Sequence, residues 1–141
     1  MPRQATPDTE NPFDTRPGEY DSWYDSEKGR LIFAMETRCL EVLMKGGGKT
    51  WLEVGVGTGR FAEALGVLEG VDPSPGMLEL ASRRGILTRV GYGEELPYND
   101  NVFDGILMVT AQCFLSEPDK VLKECARVVK KRGRLILGMI P

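Results

Sequence analysis

The chain has 141 residues, no histidine, and 18 basic against 21 acidic side chains. That length suits one domain with a real core, and mild acidity without a basic stripe argues against a nucleic-acid or membrane surface. No apolar run reaches spanning length and "MPRQATPDTENPF" lacks the apolar core of a signal peptide, so a cytoplasmic protein is expected.

Residues 1 to 19, rich in Pro, Asp, Thr and Glu, read as a flexible lead-in to a domain over 20–141. "YDSWYDSEKGR" interleaves aromatics with acids and leads into a helix over about 28–45, which "KGGGK" ends. "TWLEVG" reads as a short buried strand, "RFAEALG" as a helix stopped by Gly66, and "VLEGVD" as a second strand. "SPGMLELASRRG" forms a helix with Pro75 in its first turn and Gly85 at its end. "ILTRV" is a third strand, and "FDGILMVTA" is a fourth, apolar enough to be covered on both faces. "EPDKVLKECARVVKKRG" reads as an amphipathic helix and "RLILGMI" as a fifth strand. Alternating strands and helices predict an α/β fold, a Rossmann-like parallel sheet of about five strands between helices.

Cys39, Cys113 and Cys125 form no CxxC pair, so neither a disulfide framework nor a zinc site is expected. Cys39 and Cys125 share helical spacing with apolar neighbours and read as small core residues. Without imidazole, the commonest general base and metal ligand is missing. Cys113 has nothing to activate it.

"WLEVGVGTGRFAEAL" places Gly55, Gly57 and Gly59 immediately behind a strand. A tight turn would use glycine too. However, the loop joins a strand to a helix, whose first N–H groups face outward, and Asp72 closes the next strand 17 residues after Gly55. A carboxylate there can accept both hydroxyls of a ribose, which favours a nucleoside site. Dinucleotide loops run G-x-G-x-x-G, whereas this one runs G-x-G-x-G behind Glu53. A carboxylate at that point repels a pyrophosphate and suits an ammonium group, such as that of S-adenosylmethionine.

These segments resemble the class I S-adenosylmethionine-dependent methyltransferases, most of all the small-molecule branch called type 11, which includes the ubiquinone and menaquinone enzymes. The resemblance rests on "LEVGVGTGRFA", "GVDPSPGMLELA", "GYGEELPYNDNVFDGILMV" and "VLKECARVVKKRGRLIL" in that order. It implies methyl transfer to a small-molecule acceptor, leaving S-adenosylhomocysteine. Glu53 and the backbone of Gly55, Val56, Gly57 and Gly59 would hold the methionine end. Asp72 would grip the ribose, Pro73 and Ser74 would shape the turn, and Met77 would pack by the adenine with Gly93 and Glu94 at its edge. Thr110 to Gln112 would face the sulfonium and acceptor, and Tyr20, Trp23 and Tyr24 resemble an N-terminal lid with aromatic faces for a cation. No catalytic base is assigned.

Blander readings stand beside these. Met77 and Leu78 read equally well as helix core, Tyr20 and Trp23 as cover for an apolar patch, and Glu94 as part of a solvated charge run. Asp104 reads as a cap or strand-orienting group. Tyr92 stands where relatives carry an adenine-binding aspartate, and Lys131 and Arg132 replace a Pro-Gly pair, a change expected to touch only a surface turn. The family continues beyond a fifth strand. The sequence therefore reads either as a truncated form of that fold, which would bind the cofactor without catalysis of its own, or as a chain whose open edge at "RLILGMI" joins a homodimer or oligomer.

Overall fold

The computed structural model describes residues 17–109 and 116–139. Helix α1 (Pro17–Trp23) opens ahead of Tyr20 and is followed by α2 (Glu27–Met44). Ser26 caps α2 by accepting the Gly29 N–H at 3.0 Å, which satisfies one of the unpaired donors of the helix's first turn. A Cβ at Gly29 would collide with the Trp23 carbonyl, so the α1–α2 corner requires glycine.

Strand β1 (Trp51–Val54) and β2 (Glu69–Asp72) flank α3 (Arg60–Leu65), which Gly66 ends at φ 72°. Helix α4 (Pro75–Arg83) is capped by Ser74 with Pro75 in its first turn, and Gly85 follows at φ 83°. Then come β3 (Leu87–Val90), β4 (Phe103–Val109), α5 (Pro118–Val128) and β5 (Val129–Gly138). All four strand pairs are parallel, in the order β3-β2-β1-β4-β5.

Side chains alternate across this sheet and build two cores. Trp51, Leu107, Val109 and Ile136 pack with residues of α2, α3 and α4 on one face. Leu52, Val54, Ile106 and Met108 pack with Val121, Cys125 and Val128 of α5 on the other. Trp51 pairs with Gly105 in the β1–β4 register, and a Cβ at Gly105 would enter the indole ring. Asp104 orients the entry to β1, as expected: its Oδ2 accepts the N–H groups of Lys49 at 3.1 Å and Thr50 at 3.0 Å.

Two expectations need correction. The last helix stops at Val128 rather than running to Gly133, because Val129 leaves it to pair with Phe103. From there β5 advances irregularly, with Gly105 opposite Arg134, and Arg132 takes a left-handed φ of 68°. The stretch that the Lys-Arg pair occupies is therefore a strained part of the strand. Cys39 is exposed, not core. It lies on the outer side of α2, while Phe33, Leu40 and Met44 supply the inner stripe. Cys125 is buried as read. Cys113 lies outside the described residues.

Candidate functional site

The strand order reverses between β1 and β4, so the crevice beyond their carboxyl ends is where such sheets hold ligands. The glycine loop leaves β1 at that point. Gly55 and Val56 both donate to the Val71 carbonyl, at 2.8 and 3.1 Å, which pulls the loop over β2. Gly55, Gly57 and Gly59 have φ of 76°, 55° and 83°, a left-handed sequence that costs other residues strain. Val56 fills the space over Gly70, where a Cβ would lie 2.6 Å from its side chain.

Asp72 ties this loop to the next turn. Its Oδ2 accepts the Gly57 N–H at 3.0 Å and its Oδ1 accepts the Ser74 N–H at 2.9 Å. One carboxylate thus pins both the glycine loop and the entry to α4. Glu53 sits beside it with 2% exposure, and its Oε1 has no hydrogen-bond partner among the described residues. Burial, then the negative charge of Asp72, pushes the Glu53 carboxyl well above the usual carboxylate range, against a backbone hydrogen bond from Ala62. A buried acceptor left unpaired costs about 1–3 kcal/mol, so this oxygen is poised to receive a donor. An ammonium group fits: it supplies the missing donor and a positive charge that favours the ionised carboxylate.

The other expected residues divide. Met77 is buried, belongs to neither core cluster, and brings its Cε to 3.9 Å from where a Gly57 Cβ would stand. Pro73 is exposed in the turn beside it. Gly59 faces Ala81 and Ile86, where a Cβ would meet Ala81 at 3.1 Å, so its bare Cα serves the α3–α4 seam. Gly93 is buried in the Tyr92–Glu95 turn against Val121 and Val54, at the carboxyl end of β1. Glu94 is half-buried and receives the Ser116 hydroxyl at 3.4 Å, while Tyr92 is 64% exposed. Tyr24 lies in the core edge-on to Phe33 and Phe61, and the cation over its ring is Arg60, at 5.6 Å. Thr110 to Gln112 and the side chain of Tyr20 lie outside the described residues.

Sequence reasoning missed four residues behind the loop: Asp21, Thr58, Arg60 and Arg84. They converge from α1, the loop, α3 and the end of α4 into one ionic cluster. Asp21 and Arg84 are 63 positions apart, and no local spacing pairs them. Among the described residues no group of three or more His, Cys, Asp or Glu could hold a metal ion. No helix among them is long and apolar enough to cross a membrane.

A parallel sheet with a left-handed glycine loop and an acid closing each of its first two strands defines a Rossmann-like fold of the class I methyltransferase kind. Residues 52–137 match the methyltransferase domain family, and the chain belongs to that family. An uncharacterised protein of Mycobacterium tuberculosis is 41% identical over 97% of this chain and 50% of its own length. A demethylmenaquinone methyltransferase of Thermotoga maritima is 34% identical, covering 84% of this chain and 57% of its own. The crystal structure of a SAM-dependent methyltransferase from Thermotoga maritima, named a possible histamine N-methyltransferase, superposes with a TM-score of 0.83. It shares 39% identity, over 89% of this chain and 58% of that one. The chain therefore spans half to three-fifths of the length of these relatives.

Proposed function

We propose that this chain binds S-adenosylmethionine at the carboxyl ends of β1 and β2 and serves methyl transfer to a small-molecule acceptor. The carrying observation is Glu53: a buried carboxyl with an unpartnered oxygen, next to a glycine loop that Asp72 holds open. Glu53 would receive the ammonium of the methionine end, Asp72 the ribose, and Met77 would pack beside the adenine. When bound, the cofactor supplies a methyl group already activated by its sulfonium, so the protein's part is alignment, worth about 7–11 kcal/mol. Absence of histidine is no obstacle to that part. Only an acceptor that must shed a proton needs a base, for which Glu94 and the acids of the N-terminal segment are the candidates, Tyr24 being held in the core beneath Arg60.

The relatives' names, one for a quinone and one for an amine, support a small acceptor and do not choose between them. The exposed outer edge of β5 and the apolar outer face of α2 beside it support association with a second copy. Coverage of only about half of each relative favours a second reading, in which this stretch binds the cofactor without catalysing transfer alone. Calorimetric titration with S-adenosylmethionine and S-adenosylhomocysteine tests the shared claim, and turnover of amine and quinone acceptors separates the two readings. Saturable binding, lost in Asp72→Ala, is the expected result. Folded wild-type protein that takes up neither ligand would sink the proposal.

A further inference from the structure

The loop that carries the site is pinned from two directions. Asp72 holds the Gly57 N–H from the sheet side. Behind the loop, Asp21 of α1 accepts the Thr58 hydroxyl at 2.7 Å and Arg60 Nε at 2.7 Å on Oδ1, and Arg84 at 2.9 Å on Oδ2. The same Arg84 guanidinium donates to the Thr58 carbonyl at 2.8 Å. Thr58 is buried, and it stands between two glycines in left-handed conformation, where the backbone itself has little preference. What sets the Thr58 peptide is therefore the carboxylate of Asp21 acting through Thr58 and Arg84.

The cluster is built for this. The side chains of Asp21, Arg60 and Arg84 are only 16–20% exposed, so water screens them weakly. Burial opposes ionisation of Asp21, yet hydrogen bonds from Arg60, Arg84 and Thr58 outweigh it and keep the carboxyl below its usual range. Arg60 extends the tie to Asp25 at 3.1 Å and covers the Tyr24 ring. Of the groups that meet the N-terminal helix and its following turn, Thr58 lies in the glycine loop, Arg60 opens α3 directly behind it, and Arg84 ends α4 and reaches back to the Thr58 carbonyl; none lies in the sheet.

We infer that Asp21 is a positioning residue for cofactor binding, a latch by which docking of the N-terminal helix sets the glycine loop in its binding-ready form. This rests on the cofactor site proposed above. If the loop is competent only while latched, apparent affinity falls by the fraction of time it is released. By reciprocity, a bound cofactor holds α1 down.

The test compares wild type, Asp21→Asn and Asp21→Glu by amide hydrogen exchange of the ligand-free protein and by calorimetry with S-adenosylhomocysteine. Asp21→Asn should speed exchange at Gly57–Gly59 while leaving β1 and β4 unchanged, and weaken the ligand about tenfold. Asp21→Glu should recover part of both. A merely structural residue would loosen strands and loop together, and that outcome, or loop exchange equal to wild type, overturns the latch. Should Asp21→Asn fail to fold, Thr58→Val removes the hydroxyl and keeps the ion pairs, and must still show loop-selective exchange. Wild type that binds no S-adenosylhomocysteine defeats the cofactor site and the affinity claim, whereas the exchange result still decides whether Asp21 holds the loop.

Discussion

The β1–α3–β2 crossover and the α2–β5 flank lie on opposite sides of β1's neighbourhood and are finished in opposite ways. Along the crossover, Val54, Val56, Phe61, Ala62, Val67 and Val71 are all buried, and carboxylates of Asp21 and Asp72 hold the turn. On the flank, Leu31, Met35, Val42 and Leu43 of α2 remain exposed to solvent, as do Leu135 and Leu137 of β5 on the opposite, α5-side face of the sheet. The crossover spends polar groups on fixing one backbone shape and keeps one acceptor, on Glu53, for an incoming donor. The flank is apolar surface that no described residue covers. Changes at the first should act on stability and ligand together, and changes to the exposed side chains of α2 on association alone.

Asp72→Ala should break the crossover most. It removes the acceptor of two backbone N–H groups, each charged hydrogen bond being worth about 1.5–3 kcal/mol, so a loss near 3 kcal/mol is expected in urea unfolding. Relief of repulsion at Glu53 returns a part of this, since Asp72 is the second cause of its raised pKa. Unchanged stability would mean that the loop does not depend on this carboxylate.

Glu53→Gln sharpens the same contrast through pH. The folded-state pKa of Glu53 stands above its ordinary 4.5, so the native chain holds the proton longer than the unfolded one. Its stabilising contribution is whole below pH 4.5 and is lost as pH climbs through the folded value, at up to about 1.4 kcal/mol per unit. The glutamine should flatten that slope in the ligand-free protein and stabilise it at neutral pH, while weakening the cofactor. Parallel pH–stability curves for the two proteins would show that Glu53 does not titrate as its burial requires.

The crossover is also the more legible region. Glycine spacing, Asp72 and the helix stops at Gly66 and Gly85 are local chemistry, and the structure shows the expected elements there within a residue or two. The flank misleads for a physical reason. α2 carries two apolar stripes, and periodicity marks a stripe without telling which neighbour covers it, so Cys39 reads as interior although it shares the exposed side with Met35 and Val42. Val129 reads as helix because a β-branched pair after a helical run satisfies either period, and only pairing with Phe103 decides. Asp21 gives no local signal because its partners are remote in sequence.

Arg132→Gly probes the flank's one strained backbone position. Relief of the left-handed conformation gains about 1–2 kcal/mol and the flexibility of glycine in the unfolded chain takes back about 0.5–1. The exposed side chain has little packing to lose, so a net gain of about 0.5–1 kcal/mol in thermal or urea unfolding is expected. A destabilised glycine variant would show that the arginine side chain, not the backbone, governs this stretch.

The smallest stability effect should come from the outer stripe of α2, and it separates the two regions most cleanly. Leu31, Met35 and Val42 are 64, 62 and 70% exposed and sit one helical face apart from the inner Phe33, Leu40 and Met44. Replacing all three by glutamine removes no core contact and keeps or improves helix propensity, so each change should stay within about 0.5 kcal/mol. Association is another matter, because the stripe is exposed apolar surface on a helix whose C-terminal end is tied to β5: Arg134 of β5 donates to the carbonyls of Leu43 and Lys45. If a second copy covers this surface, light scattering should show the wild type associating at concentrations where the triple variant is monomeric, with S-adenosylhomocysteine binding intact in both. Asp72→Ala should do the reverse, losing the ligand and keeping the association. Equal scattering from wild type and triple variant would remove α2 from the interface and leave the strand edge alone to account for any self-assembly.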